Sequence, residues 1–296
     1  MEDFSSKEEK FEQWRYKFKL LSLLGEIYNM KENYIIDTHS HINSEKFDQD
    51  RGKIITNAKE NGVGAIINMG DTMESSKHVL QLAQEYDICY AGVGVHPEEA
   101  FEMQKDDFDK LAIWTKNNKV VCIGEIGLDY YWEKDGDKRA LQKRIFIQQL
   151  DLARQLHLPV CVHNRDAHGD TMEILKKEGK GIRGVMHCFS GSLEIARELV
   201  KMDWYIGVDG PLTFKNAAKL PEIVKEIPLE KILVETDCPY MAPSPMRGKR
   251  NEPAFVRYVA EKLAELKGVD FQSVARQTTI NAKTLYTRLE EVQSSK

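Results

Sequence analysis

Ile35-Ile36-Asp37-Thr38-His39-Ser40-His41 is an apolar run long enough for one strand, ending in two histidines a single residue apart. In an extended strand successive side chains alternate between faces, so His39 and His41 point to the same side. Asp37 is expected one step further back on that face. Two neutral imidazoles so placed can grip one cation, and a strand holds the rings more firmly than a loop does. An isolated His-x-His also arises as an ordinary polar turn, so its weight depends on what ends the other strand-like runs.

Outward from this stretch, short β-rich runs alternate with amphipathic helical segments. The runs are 34–38, 65–69, 88–95, 120–125, 159–163, 184–187, 204–208 and 232–235. Their starts recur about every 30 residues, the size of one βα unit, over roughly 250 residues, which predicts an α/β fold of the (β/α)8 TIM-barrel type. An open doubly wound sheet also alternates, but it usually carries a glycine-rich phosphate turn after its first strand, where this chain has His39-Ser40-His41. No boundary rich in Pro, Gly or Ser divides the region, so residues 30–296 are expected to form one barrel domain, closed by helices at 253–267 and 271–289. Residues 1–29 read as an N-terminal extension, a charged helix with Phe11, Trp14, Phe18, Leu21 and Leu24 at helical spacing and Gly25 as its stop. An appended helix, a partner-binding element and an upstream start before Met30 are equally open readings of it.

The chain of 296 residues is 42% hydrophobic and 30% charged, ordinary for a globular protein with one large core. Its 42 basic against 47 acidic residues leave a formal net charge of -5, so no general positive field captures nucleic acid and any polyanion must be held locally. Of five cysteines, Cys89, Cys122, Cys161 and Cys188 sit in apolar strand-like runs, and this usage reads as a reducing cytoplasm. Cys161, Cys188 and Cys238 lie close to candidate ligands, but without a CxxC pair they read as buried inert thiols. No segment is apolar enough over a sufficient length to span a bilayer, and none has the form of a secretory signal; no obligate protein partner is evident.

In such a barrel the functional groups gather at the C-terminal strand ends. Strand one ends in His39 and His41, strand four in Glu125, strand five in His163 and Arg165, strand six in His187 and strand eight in Asp237. Singly, each has an ordinary reading: a helix cap or loop acid for the carboxylates, a satisfied core histidine for the imidazoles. Jointly they put four imidazoles and two carboxylates on one rim, a donor set for divalent cations in which a carboxylate bridges two ions. Asp237 suits both a ligand and a proton acceptor. His96, at the end of strand three, and the planar donors of Arg165, Arg247 and Arg250 suit substrate phosphate oxygens. Tyr130, Tyr131 and Trp132 either stack on bases or pack on neighbouring helices. His78, His157 and His168 are read as structural, His168 in the loop after strand five.

An ordered series of motifs resembles the TatD family of metal-dependent deoxyribonucleases, within the amidohydrolase-type barrels. The pieces are Asp37-Thr38-His39-Ser40-His41, Gly94-Val95-His96-Pro97, Gly124-Glu125-Ile126-Gly127-Leu128-Asp129-Tyr130, His163-Asn164-Arg165-Asp166-Ala167, His187-Cys188-Phe189-Ser190-Gly191, Glu235-Thr236-Asp237-Cys238-Pro239-Tyr240 and Arg247-Gly248-Lys249-Arg250-Asn251-Glu252-Pro253. The resemblance runs from about residue 34 to 287 and leaves residues 1–29 outside. It implies two divalent ions (Zn, Mg, Mn or Ni), one held by His39, His41, Glu125 and Asp237 and the other by Glu125, His163 and His187, with Glu125 bridging. It also implies cleavage of DNA, as ends or single strands, by a 3'-to-5' exonuclease with Glu125 and Asp237 catalytic. Asn43 departs from the aspartate common there, at a position that is not a ligand. Hydrolysis of another ester or amide, such as a D-aminoacyl-tRNA or a lactone, uses the same chemistry and stays open. A barrel that has lost catalysis is disfavoured, because no ligand position is substituted.

Overall fold

The computed structural model describes residues 34–289, so the extension expected over residues 1–29 lies outside the described residues. Eight strands follow in sequence and pair in parallel with their sequential neighbours: β1 (Ile35–Ser40), β2 (Val63–Met69), β3 (Cys89–Val93), β4 (Val120–Asp129), β5 (Val160–Arg165), β6 (Gly184–Met186), β7 (Tyr205–Val208) and β8 (Ile232–Val234). A parallel bridge between Ser40 and Cys238 joins the last strand end to the first. It is reinforced by His41 N donating to Cys238 O at 2.8 Å and Asp237 N donating to His39 O at 2.9 Å. The predicted (β/α)8 barrel is the observed one.

The helices between strands are α1 (Arg51–Glu60), α2 (Met73–Glu85), α3 (Asp107–Trp114), α4 (Gly136–Leu156), α5 (His168–Glu178), α6 (Leu193–Lys201) and α7 (Lys219–Glu226), followed by α8 (Val256–Lys267) and α9 (Phe271–Leu285). Their ends obey local rules. Thr72 and Ser75 form a capping box at the start of α2, and Asp135 accepts from the backbone of Asp137 and Lys138 at the start of α4. Gly268, at φ 65°, ends α8 in the left-handed conformation that glycine adopts without strain. His168 is the first residue of α5 and not part of the preceding loop, because the turn after β5 is shorter than the sequence suggested.

Two apolar layers follow from the alternation of strand side chains. The outer layer includes Ile35, Ile66, Val93, Ile123, Val160 and Val234 and meets the helices. The inner layer fills the barrel with Ile36, Ile67, Met69, Tyr90, Cys161 and Leu233. Leu285 and Tyr286, at the end of α9, join this inner cluster, so the helix plugs the N-terminal mouth. Full burial of each such side chain stabilises by about 1.5–3 kcal/mol. A floor packed in this way leaves the opposite mouth for chemistry.

Candidate metal centre

Two register irregularities aim the rim. β1 pairs with β2 at Asp37↔Ile66 and Ser40↔Asn68, three residues against two. This bulge moves His39 and His41 to the barrel interior while Asp37 stays on the face of Ile66, corrected from the single-face expectation. Asp37 instead accepts from Thr236 N at 2.9 Å and Thr236 Oγ1 at 2.7 Å, tying β1 to the β8 end. In β4 a shift between Ile123 and Ile126, three residues against two, sets Gly124 and Glu125 opposite the single Cys161 and turns Glu125 inward. β5 alternates regularly, so Cys161, His163 and Arg165 share one side. Gly127, at φ 146°, runs so close to β5 that a Cβ would overlap the His163 carbonyl oxygen.

The six predicted ligands converge. His39 Nε2 and His41 Nε2 are 3.1 Å apart, at 3.3 and 3.5 Å from Glu125 Oε2 and at 3.6 and 3.5 Å from Asp237 Oδ1. On the other side, His163 Nδ1 and His187 Nε2 are 3.3 Å apart and lie 2.8 and 2.7 Å from Glu125 Oε1. Glu125 thus turns one oxygen to each pair of imidazoles. The donors suit divalent cations: ligands about 2.1 Å from a tetrahedral ion are themselves about 3.4 Å apart, close to the 3.1–3.6 Å separations on the His39-His41 side, while on the other side Glu125 Oε1 is within hydrogen-bond distance of both imidazoles. His39-His41-Glu125, His39-His187-Asp237 and His96-Glu125-His163 each form a group able to hold an ion.

The partners of the distal ring nitrogens set the tautomers of His41 and His163. His41 Nδ1 faces the Met69 carbonyl at 3.1 Å, His39 Nδ1 faces Cys161 Sγ at 3.3 Å, and His163 Nε2 faces Asp129 Oδ2 at 3.1 Å. Each partner leaves the other nitrogen aimed at the carboxylates. Cys161, read from sequence as inert, is therefore in contact with a candidate ligand, and burial holds its thiol protonated. Asp129 was missed as a partner because only the extension of β4 beyond Glu125 brings it opposite β5. Glu235, also missed, accepts from Cys188 N at 2.6 Å and is fully buried; burial pushes its carboxyl well above the usual range.

Electrostatics keep the two central carboxylates charged. Burial raises both, but for Glu125 the imidazoles of His187 and His39 and the hydrogen bonds from His163 and His187 outweigh it and hold the group well below its ordinary value. Asp237 is lowered as well, the hydrogen bond from His41 and the charges of His39 and His41 overcoming burial. Burial with His187 nearby lowers His39 to about 4, whereas against burial the Asp237 hydrogen bond and Glu125 lift His41 to about 9.

The residues expected at substrate divide. His96 caps a 3-10 turn, its Nδ1 accepting from Glu98 N at 3.2 Å, so its proton sits on Nε2, 3.7 Å from Glu125 Oε1. Burial, with His163 adding, pushes His96 down to about 3, so it is neutral. Arg165 is exposed beside the centre, and Arg247 lies over the Phe214 ring at 4.0 Å. Arg250 instead directs two nitrogens to Asp50 at 3.0 and 2.7 Å, so the phosphate contact expected of it meets a guanidinium already engaged. Tyr130 is buried with its hydroxyl donating to Asp170 at 2.7 Å, while Tyr131 and Trp132 are exposed.

Residues 36–287 match the family model described as TatD related DNase. The chain is 46% identical over 253 residues to the uncharacterized metal-dependent hydrolase YabD of Bacillus subtilis (strain 168), covering 85% of this chain and 98% of that protein. It is 33% identical over 258 residues to a protein of Citrobacter koseri named 3'-5' ssDNA/RNA exonuclease TatD, covering 85% and 98%. Among solved structures, YjjV, a TatD homologue from Escherichia coli K12, superposes with a TM-score of 0.79 at 32% identity, over 86% of this chain and 98% of that one.

Proposed function

Because the chain belongs to the TatD-related DNase family of metal-dependent hydrolases, we propose that it hydrolyses phosphodiester bonds from a free end of a DNA strand, as a 3'-to-5' exonuclease with two divalent ions bridged by Glu125. The observation that carries this reading is the division of the Glu125 carboxylate between two imidazole pairs, 2.7–2.8 Å on one oxygen and 3.3–3.5 Å on the other. His39, His41 and Asp237 would complete one ion's ligands and His163 and His187 the other's. Ions held there supply Lewis acidity, lowering the pKa of water and neutralising charge on a phosphoryl group.

The chain's own groups do the rest. Asp237, ionised at neutral pH, accepts the proton of the attacking water on its carboxylate. His96 donates from Nε2 to a phosphoryl oxygen, a role open to it because Nδ1 is occupied by the Glu98 amide. The Arg165 side chain makes no hydrogen bond or ion pair among the described residues and offers its donors to phosphate, with Arg247, in the loop after β8, as a second cation. Arg250 reaches phosphate only by giving up Asp50; held there, it braces the loop after β8 against the loop after β1. Five free cysteines suit a reducing compartment and a cytoplasmic enzyme.

The test offers metal-reconstituted protein end-labelled single-stranded DNA, circular DNA of the same sequence, RNA and a D-aminoacyl-tRNA, with Asp237→Asn as the control for contaminating nucleases. Mononucleotide release from linear DNA and none from circles supports the reading. Equal cleavage of circles removes the end requirement. Metal-dependent ester hydrolysis with no cleavage of DNA replaces the substrate class.

A further inference from the structure

Three consecutive aromatics follow the end of β4, and they divide sharply. Tyr130 is 9% exposed and anchored, whereas Tyr131 is 43% and Trp132 64% exposed, the latter more than any other large hydrophobic side chain among the described residues. The two outer rings meet edge to face, centroids 4.7 Å apart at 86°. The Arg165 guanidinium lies 3.9 Å from the Tyr131 ring centre and 5.6 Å from that of Trp132.

This patch is tied to the metal centre by one side chain. Asp129 Oδ1 accepts from the backbone N of Tyr131 at 2.8 Å and of Trp132 at 3.0 Å, while Oδ2 faces His163 Nε2 at 3.1 Å. The backbone that carries the two rings is therefore held at a fixed offset from a candidate ligand. Beyond Trp132 lies a cavity bordered by Phe101, Glu98, Glu99, Glu133 and Lys138, the last pairing with Glu133 at 3.3 Å. With Glu133 neutralised by Lys138, Glu98 and Glu99 still disfavour phosphate and can accept hydrogen bonds from exocyclic amino groups, so that side of the ring suits an uncharged base while Arg165 faces the backbone.

We infer that Trp132, with Tyr131 and Arg165, forms a stacking subsite for an unpaired nucleobase adjacent to the scissile phosphate, so that the substrate strand enters as a single strand over the β4–β5 side of the rim. The inference rests on the phosphodiesterase reading for the identity of the strand. Inside a duplex both faces of a base are covered by its neighbours, whereas any unpaired base can turn a face to Trp132, which makes the subsite tolerant of sequence.

The experiment uses the metal-loaded full chain and two measurements. In the first, a phosphorothioate-linked oligonucleotide carrying 2-aminopurine at its terminal position is titrated with protein. Stacking quenches its fluorescence; the quench should vanish in Trp132→Ala and return in Trp132→Phe. In the second, KM is compared for a linear strand and the same strand with an abasic terminal nucleotide. The wild-type preference for the base, about tenfold or more from one stacked base, should collapse to roughly twofold or less in Trp132→Ala and recover in Trp132→Phe. Hydrolysis that continues with quench and KM ratio indifferent to residue 132 overturns the subsite alone. Trp132-dependent quenching without any phosphodiester hydrolysis keeps the subsite and overturns the hydrolytic reading.

Discussion

The two ends of the barrel are built from the same strands yet answer to different physics. Along β5, Cys161 packs into the apolar interior, and His163, two residues on, faces Glu125 and Asp129. Along β8, Leu233 fills the floor while Glu235 and Asp237 crowd the rim. The floor gains its free energy by excluding water from side chains that make no demands on one another beyond shape. At the rim the same burial penalises every charge, and only mutual pairing of imidazoles with carboxylates makes it tolerable. Stability and chemistry should therefore be separable by position along a strand.

The largest effect that would sharpen this contrast is at the rim. Asp237→Asn should lower kcat by about three orders of magnitude or more, since a ligand and a proton acceptor are removed together. Its thermal midpoint should move far less than that of a floor variant; single-turnover hydrolysis and calorimetry on the same samples decide. Ile67→Ala, in the inner cluster, should behave in the opposite sense. It should cost about 2–5 kcal/mol of stability, a fall in Tm of roughly 5–15 °C, with kcat at 25 °C within roughly twofold. A large kcat loss in this variant at full folding would break the separation.

Smaller effects test the supports of the site. Asp129→Asn should weaken binding of the ion held by His163 by about 10- to 100-fold, read by competition with a chromogenic chelator, while the His39-His41 side changes less. Equal loss at both sides would remove Asp129 from its positioning role. Tyr286→Phe is the smallest: its buried hydroxyl has no hydrogen-bond partner among the described residues, so removing it should leave stability unchanged or raise it by about 1 kcal/mol in a denaturant titration. Marked destabilisation would reveal a polar contact at the floor and blur the distinction between the two ends.

The barrel was legible because eight apolar runs recur at βα spacing, and the rim because five of those runs end in residues able to bind a cation. His39, His41, Glu125, His163, His187 and Asp237 were all readable on that ground, and the structure brings them together. What escaped was set by register and by long-range pairing. The bulge in β1 sends Asp37 to the face opposite the histidines, and nothing in a strict period of two announces it. Asp129 was given no role because the strand was expected to stop at Glu125. Arg250 looked free for phosphate because its partner, Asp50, lies 200 positions away along the chain. Tyr130 could be told from Tyr131 and Trp132 only by the burial that Asp170 and α5 impose.

The central claim is that one carboxylate joins two ions, and elemental analysis of the metal retained after dialysis tests it most directly. Wild-type protein should keep about two ions per chain, His187→Ala about one, and Glu125→Ala close to none, because Glu125 presents an oxygen to each pair of imidazoles. Retention of both ions by folded Glu125→Ala, at the wild-type level, would contradict the bridge and with it the dinuclear account of the site.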